Sequence, residues 1–390
     1  MFKSKKNKII IAGKSILIAG IFLLLPANHG FAQNKFEYKI IVENEFEYFN
    51  IATDSKLNPD NQYLQLDEFN YETRFYPILK LENGKSKFQL EPLIKYAPTK
   101  TKKDSLQLSI QELYTGFELN NHVYLLIGKQ RLTWGTGLIW NPTNFYTQKD
   151  PFRLNNRLEG LNQARIECYL GSLTLNLLAS PNKDFDKLMY AAKLESNIGG
   201  LFYSFSYASV EKAQYQFGGD FSYAGDIFTL YGEGVMKNYS KYSFVNDTGG
   251  ITPRPVVTNL KDFYSDLVLG GSLNISSNLI FQLEYQYRSD YNSKVGMKDF
   301  DRTIPNSLSI YDPLSMGKHT LYGGVNFRDN YGKYTITGGS FYDPLTQQLT
   351  LMPQFTLTID NFTVEASVPM YVMDYRVYNF STKFVFSLFF

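Results

Sequence analysis

Residues 377–390 read VYNFSTKFVFSLFF, and their pattern is the strongest indication of the fold. Apolar side chains recur at every second residue and continue to the last residue of the chain. One face comprises Tyr378, Phe380, Thr382, Phe384, Phe386, Leu388 and Phe390, and the other comprises Asn379, Ser381, Lys383, Val385, Ser387 and Phe389. This period of two predicts a β-strand with one apolar and one mixed face. A strand placed between lipid and a wet interior has this pattern.

The end of the chain resembles the C-terminal signal of bacterial outer-membrane β-barrels. In that family the assembly machinery recognises a last strand that finishes in phenylalanine, so the resemblance implies this role for Phe390. It also implies an outer-membrane location with lipid around the barrel. The sheet would have to close, because lipid offers no hydrogen-bond partner to an open edge.

The start of the chain has the features of a secretory signal peptide. An apolar run covers residues 16–25, and small residues at Gly30 and Ala32 precede Gln33. The run is preceded by the lysines Lys3, Lys5, Lys6, Lys8 and Lys14. Roughly ten apolar residues are too few to span a bilayer as a helix, so a cleaved leader is favoured over a retained anchor. We predict a signal peptide over residues 1–32 and an outer-membrane barrel over residues 33–390.

The charge of the chain argues against a nucleic-acid partner. The sequence has 39 Lys and Arg against 37 Asp and Glu. Five of the lysines and none of the acidic residues precede Gln33, so the remainder has 34 basic and 37 acidic residues and a net charge of −3. The apparent basicity therefore belongs to the leader, and we expect no nucleic acid as a partner.

The composition also gives little support to an enzyme or to a bound metal. Cys168 is the only cysteine, which excludes an intramolecular disulfide. The three histidines are His29 in the leader, His122 beside a predicted turn and His319 at the start of a predicted strand. A histidine-based triad or multi-histidine metal site is therefore not expected. We predict no enzymatic activity, no cofactor and no metal; an outer-membrane hydrolase is the alternative from the enzyme class.

Period-two segments predict about eighteen strands after the leader, the first at 35–49, the second at 64–79 and the last two at 362–372 and 377–389. Tight turns are predicted at 83–84, 120–121, 171–172, 198–200, 225–226, 276–278, 329–332 and 360–361. The longer connections are 50–63, 98–105, 132–162, 181–187, 239–261 and 291–317. Short and long joints alternate, as in an antiparallel barrel with both termini in the periplasm. The fold class is therefore all-β, a transmembrane up-and-down β-barrel; a soluble sandwich or barrel is the alternative.

Two irregularities interrupt the regular alternation. The apolar register of residues 106–119 shifts midway, which predicts a β-bulge near Gln111 or Glu112. Glycine pairs occur inside predicted strands at 270–271, 323–324 and 338–339. Glycines at such positions relieve crowding or curve the wall.

The most distinctive connection contains residues 131–144, RLTWGTGLIWNPTN, with both tryptophans of the chain. It resembles in length and order the third outer loop of general porins, which folds inward and narrows the pore. The resemblance implies that loop 132–162 is a constriction anchored by Trp134 and Trp140. The alternative is an external flap with tryptophans at the membrane interface.

Charged residues predicted to face the lumen could set its selectivity. The candidates for the lumen and constriction are Arg74, Lys95, Glu112, Lys129, Arg131, Lys149, Arg153, Arg157, Arg165 and Glu167. Charged side chains on a membrane barrel are tolerated on the wet side, and a row of basic groups facing an inserted loop would favour anionic or hydroxylated solutes. The alternative is a wall of salt bridges that only solvates the lumen.

Together these features predict an outer-membrane channel for passive diffusion of small hydrophilic solutes. The expected partners are outer-membrane lipid, the barrel-assembly machinery and the solute, and the oligomeric state is left open. The second hypothesis is a barrel without channel activity that serves assembly, adhesion or export of surface material.

Overall fold

The structure is a computed structural model that describes residues 34–50, 68–98, 105–144, 146, 157–181, 188–210, 214–238, 244–246, 254–256, 263–289, 318–344, 347–373, 376–378 and 380–390. Every regular element in these ranges is a β-strand. No helix among them is long and apolar enough to span a membrane. The strands are β1 (Asn34–Asn50), β2 (Phe69–Asn83), β3 (Ser86–Tyr96), β4 (Leu106–Asn120), β5 (Val123–Gln130), β6 (Leu161–Leu170), β7 (Leu173–Pro181), β8 (Leu188–Ile198), β9 (Leu201–Val210), β10 (Gln214–Ala224), β11 (Phe228–Lys237), β12 (Phe244–Asn246), β13 (Arg254–Val256), β14 (Tyr264–Ser276), β15 (Leu279–Arg288), β16 (His319–Arg328), β17 (Tyr334–Asp343), β18 (Gln348–Ile359), β19 (Phe362–Ser367), β20 (Met370–Met373), β21 (Arg376–Tyr378) and β22 (Phe380–Phe389).

The strands form a closed antiparallel barrel. β19 and β20 both pair with β18 and make up the seventeenth strand of the wall, while β21 and β22 make up the eighteenth. β12 and β13 form a separate two-stranded sheet. β22 pairs with β1, so the wall is a closed barrel of eighteen strands, which confirms the predicted fold class and strand number.

The last residue of the chain takes part in this closure. Phe389 lies opposite Ile41 in the register of β22 and β1. Beyond it, the Phe390 amide donates to the Ile40 carbonyl at 2.9 Å, and the Ile40 amide donates to the Phe390 carbonyl at 3.0 Å. The terminal strand therefore completes the ladder to its final residue, which satisfies the backbone groups of both edges.

The tight turns lie where the sequence predicts them, at one end of the barrel. Gly84, Gly171 and Asp360 have φ values of 53°, 69° and 49°, which suit glycine and tolerate aspartate. The second strand is shifted from its predicted range of 64–79, because β2 continues in register with β1 as far as Asn83. The first four residues of that predicted range lie outside the described residues.

The outer face of the wall is apolar and the inner face is polar. Leu283 and Phe205 are 62% and 65% exposed, whereas Glu284 is fully buried. On the terminal strand Phe384 is exposed and its neighbour Val385 is buried, as the predicted alternation requires. This polarity is the reverse of that in a soluble protein, and it suits a surface that contacts lipid.

Aromatic side chains form bands near both ends of the outer face. Exposed rings near the turn end are Tyr38, Tyr169, Phe221, Phe362 and Phe390, and exposed rings near the loop end are Tyr48, Tyr190, Phe217 and Phe263. Such girdles occur where a transmembrane barrel meets the two membrane interfaces.

The predicted bulge is present in β4. Glu112 pairs with Glu91 of β3, whereas Ile110 pairs with the next residue, Pro92, so Gln111 has no partner across the ladder. Two consecutive side chains, Gln111 and Glu112, are consequently both buried. The bulge brings the carboxylate of Glu112 to the lumen next to the point where the chain leaves the wall.

The chain leaves the wall at the end of β5. β5 pairs with β4 only from Val123 opposite Asn120 to Lys129 opposite Leu113. It returns at Gly160, whose amide donates to the Gln111 carbonyl at 2.9 Å. The connection between β5 and β6 therefore starts and ends at adjacent points beside the bulge.

Candidate functional site

Residues 132–144, here called the inserted segment, lie inside the barrel. Their amides and side chains contact Glu233 of β11 and Glu284 of β15. These two residues alternate with Met236 and Leu283, which are exposed on the outer face, so the carboxylates face the lumen. The segment therefore extends from the end of β5 across the lumen to β11 and β15, and it does not form an external flap.

Glu284 binds three consecutive backbone amides of the inserted segment. Its carboxylate accepts from the amides of Leu138 at 2.8 Å, Ile139 at 3.2 Å and Trp140 at 2.8 Å. The Tyr231 hydroxyl donates to the same carboxylate at 2.6 Å. Glu284 is fully buried, so these donors replace the water that an ionised carboxylate would otherwise bind.

Glu233 binds the inserted segment both before and after Trp140. It accepts from the amides of Thr136 and Gly137, each at 3.0 Å, and from the Thr143 amide at 2.6 Å and hydroxyl at 2.5 Å. Gly135 has φ +91, and a Cβ there would lie 2.5 Å from the Glu233 carboxylate. A Cβ on Gly137 would lie 1.9 Å from the Trp140 carbonyl oxygen. The Gly-Thr-Gly sequence is therefore required by this close approach.

Trp140 fills a socket on the inner wall of β11 to β18. Its ring meets Phe341 edge-on at a centroid distance of 5.9 Å, within a buried cluster that also contains Tyr231 and Tyr322. The inner glycine of two Gly-Gly pairs makes room for these tyrosines. A Cβ on Gly270 would lie 2.6 Å from the Tyr231 ring, and a Cβ on Gly324 would lie 2.4 Å from the Tyr322 hydroxyl.

Trp134 contacts a different part of the wall. It packs with Leu132 on Leu178, Ala191 and Ala208, which belong to β7, β8 and β9. Two alanines at this position leave space for the indole. The two tryptophans therefore attach the inserted segment at separate places around the lumen.

Two arginines hold the ends of the loop against β1, β3 and β4. Arg131 donates to both carboxylate oxygens of Glu91, at 2.9 and 2.6 Å, and to Glu112 at 2.7 Å. Arg157 lies 3.4 Å from Glu43 and 3.3 Å from Glu91, and its guanidinium stacks over the Tyr76 ring. Glu91 is 1% exposed, so this cluster is a compact charged network at the base of the loop.

No family model matches the chain, and no curated protein matches it in sequence. Among solved structures, OccK11 (OpdR) of Pseudomonas aeruginosa is 11% identical with a TM-score of 0.58, over 91% of this chain and 95% of that chain. OccK1 (OpdK) of the same organism is 9% identical with a TM-score of 0.58, over 91% and 98%. The chain has a porin-like fold. OccK2 (OpdF), also from Pseudomonas aeruginosa, is 11% identical with a TM-score of 0.55, over 91% and 97%.

Other candidate residues of the porin-like barrel line its lumen in ion pairs. Arg74 pairs with Glu45 at 2.5 Å and also contacts Glu72, which in turn pairs with Lys95. Arg165 pairs with Glu167 at 2.9 Å. The basic residues are therefore placed on the wet side but engaged by carboxylates, as in the salt-bridged alternative.

Lys129 was expected to join these lumen residues, and that expectation is wrong. Lys129 lies opposite Leu113 on the outer face, whereas Gln130, the next residue, faces inward and accepts from Arg165 at 3.1 Å. The ammonium of Lys129 contacts Glu159 and the Ile110 carbonyl instead. The alternation of β5 decides this placement. Lys149 and Arg153 lie outside the described residues.

The residues that bind the inserted segment were not among the sequence candidates. Glu233 lies in Tyr-Gly-Glu-Gly and Glu284 in Leu-Glu-Tyr, each a single carboxylate in the inward register of a strand rich in glycine or aromatic residues. An isolated inward carboxylate beside lumen-facing aromatics was the available signal. It was hidden because acidic residues on the wet face of a barrel are also common as simple solvated groups.

Proposed function

We propose that this chain is an outer-membrane channel for passive diffusion of small hydrophilic solutes and that the inserted segment narrows its lumen. The observation that carries the proposal is the attachment of residues 136–143 to the inner wall by Glu233 and Glu284. A segment bound there reduces the open cross-section of an eighteen-stranded barrel, which would otherwise be wide. Polar walls on the remaining side suit hydrated solutes.

The route left for solutes is the part of the lumen between the inserted segment and the charged inner face of β1 to β4. On one side lies the inserted segment with its buried tryptophans. On the other side, β1 to β4 present Glu43, Glu72 and Arg74 to the lumen. Solutes that exchange hydrogen bonds with such a wall can enter and leave without a large desolvation penalty.

The location and partners are part of the same proposal. Residues 1–32 act as an export leader that is removed, and the barrel spans residues 33–390 of the outer membrane with both termini in the periplasm. The apolar outer face with its aromatic bands supports surrounding lipid. Phe390, at the end of the closing strand, serves as the signal for the barrel-assembly machinery.

The similar structures support small organic molecules as the solutes of this channel. OccK2 (OpdF) was solved in complex with glucuronate and OpdK with vanillate. The proposal assigns no catalytic step to the chain. A non-channel barrel in assembly, adhesion or export is not favoured by these neighbours.

Reconstitution into a planar bilayer tests the channel. The purified barrel should produce stepwise, stable increases in ion conductance, and liposomes that contain it should swell in sugars up to a size limit. Heat-modifiable migration on gels verifies that the sample is folded. A folded barrel that gives neither conductance nor swelling contradicts the proposal.

The constriction is tested by removing its anchors. In the double variant E233Q/E284Q, an amide replaces each carboxylate that accepts backbone N–H groups of the segment. The amide NH₂ group cannot accept these hydrogen bonds, so the segment should detach and the single-channel conductance should rise. D360N is the control, because it also replaces a carboxylate by an amide but Asp360 is exposed in the turn between β18 and β19. Equal conductance in E233Q/E284Q and the wild type would remove the segment from the permeation path.

A further inference from the structure

The basic groups that face the lumen near the loop are already engaged in ion pairs with carboxylates. The ion pairs are Arg74 with Glu45, Lys95 with Glu72, Arg131 with Glu91, Arg157 with Glu43, Arg165 with Glu167, Lys193 with Glu195, Lys237 with Asp266, Arg288 with Asp266 and Lys383 with Glu47. Lys39, Lys80 and Lys87 lie nearer the turn end of the wall. These paired basic residues are thus poorly placed to attract an anion.

Several lumen carboxylates have no such cation. Asp220, Glu233, Glu284 and Glu365 form no ion pair with a described lysine or arginine, although Lys193 is near enough to Asp220 to interact with its charge. Asp220 interacts with the Ser204 hydroxyl, and it lies directly opposite Glu233 in the register of β10 and β11. Glu365 is half-buried on β19 and makes no hydrogen bond within the described residues.

Two of these carboxylates lack an ion pair because of the way in which they hold the inserted segment. Its anchors bind backbone amides and hydroxyls, not lysines or arginines. Such dipoles stabilise an ionised carboxylate, but they do not cancel its charge. Glu233 and Glu284 each accept hydrogen bonds from four donor groups, which favours the ionised form and places negative charge beside the inserted segment. Because the surrounding wall has a low dielectric constant, this charge is only partly screened and acts on ions in the path.

We propose that the lumen is electronegative at the inserted segment and that the channel prefers cationic and amine-bearing solutes over anions of the same size. This inference rests on the proposed channel function and names its solute class. It replaces the sequence-based expectation of a basic row that attracts anions. It also separates this chain from the neighbours solved with vanillate and glucuronate, whose ligands are carboxylates.

The reversal potential in a planar bilayer tests the preference. With a tenfold KCl gradient across the membrane, the potential should have the sign set by K⁺. The double variant D220N/E365Q removes two carboxylates that form no ion pair and leaves both segment anchors in place, so the K⁺ to Cl⁻ permeability ratio should fall by about twofold.

D360N is the matched control for this variant. It removes one carboxylate where the double variant removes two, but Asp360 is exposed in a turn between β18 and β19, and asparagine tolerates its φ of 49°. Its permeability ratio should equal that of the wild type. A Cl⁻-directed potential, or a ratio unchanged in D220N/E365Q, overturns the inference while the channel itself stands; a barrel that does not conduct contradicts the proposed function instead.

Solutes of matched size extend the test beyond inorganic ions. Liposome swelling should be faster in glucosamine than in glucose, and slowest in glucuronate. The differences in swelling rate among the three solutes should become smaller in 1 M KCl, because salt at that concentration shortens the Debye length to about 3 Å. Fastest entry of glucuronate at low salt would overturn the preference.

Discussion

The two sides of the barrel hold the same loop by different chemistry. On the charged side, β1 to β4, the loop ends are held by ion pairs between Arg131 or Arg157 and the carboxylates of Glu43 and Glu91. On the docking side, β7 to β18, the inserted segment is held by carboxylates that bind its backbone and by sockets for its tryptophans.

The difference in burial indicates which side should determine the position of the segment. The guanidinium side chains of the charged side are about a quarter exposed, at 26% and 23%, so water and salt weaken their attraction. The contacts of the docking side exclude water, and a broken contact there leaves buried N–H groups or a cavity. We therefore expect the docking side to dominate, and four variants test this comparison.

The largest effect is expected for Trp140→Ala. Removing a buried indole from its socket leaves a cavity and should reduce stability by about 3–5 kcal/mol. Urea unfolding in lipid vesicles measures the loss, and single-channel conductance should become larger and noisier as the segment loosens. Trp140→Phe is the conservative control and should retain most of both properties; equal behaviour of the alanine variant and the wild type would contradict the socket.

Glu284→Gln should have the next largest effect. An amide cannot accept all three backbone N–H groups, and leaving a buried donor without a partner should destabilise the segment by about 2 kcal/mol. Both tryptophans of the chain lie in the segment, so tryptophan fluorescence reports on it alone. We expect a red shift and stronger iodide quenching in E284Q and neither in E365Q. Identical spectra in both variants would remove Glu284 as an anchor.

The glycine pairs allow a closely matched comparison of the two faces. Gly324→Ala should cost about 1–2 kcal/mol, because its Cβ would overlap the Tyr322 side chain of the socket. Gly338→Ala should be tolerated, since no atom lies within 4 Å of a Cβ there. Urea midpoints compare the two, and a larger loss in G338A would contradict the proposed role of the inner glycines.

The smallest effect is expected on the charged side. In Arg157→Gln, Glu91 retains Arg131 and Glu43 retains Arg74, so the loss should be within about 1 kcal/mol. Conductance should change little, and wild type and variant should converge further at high salt. A large rise in conductance for R157Q would mean that the charged side, and not the docking side, holds the segment.

Much of the architecture could be predicted from local patterns. The alternation of residues 378–390 and the turn at Asp360 each follow from a few neighbouring residues. The shift of apolar register in β4 was sufficient to locate the bulge at Gln111. Such features depend on the pleat and on turn geometry, which are properties of short stretches of chain.

The candidate site could be predicted only in part. The two tryptophans and Arg131 were recognised, but the candidate Lys129 lies on the outer face, and Glu233 and Glu284 were missed. The sequence left open whether the basic groups are free or salt-bridged, and in the structure Arg74 and Arg157 are each shared among several carboxylates. Pairing across a barrel depends on neighbours that are distant along the chain.

The sequence was sufficient to predict a closed membrane-type barrel, because period-two polarity and turn residues act locally and a strand edge in lipid must be paired. The position of residues 132–144 inside the barrel follows from long-range contacts that the sequence does not reveal. Leu138 meets Glu284 across 146 positions of sequence, and Thr136 meets Glu233 across 97. A backbone amide has no side-chain signature, so its partner becomes visible only when the closed wall brings the two together.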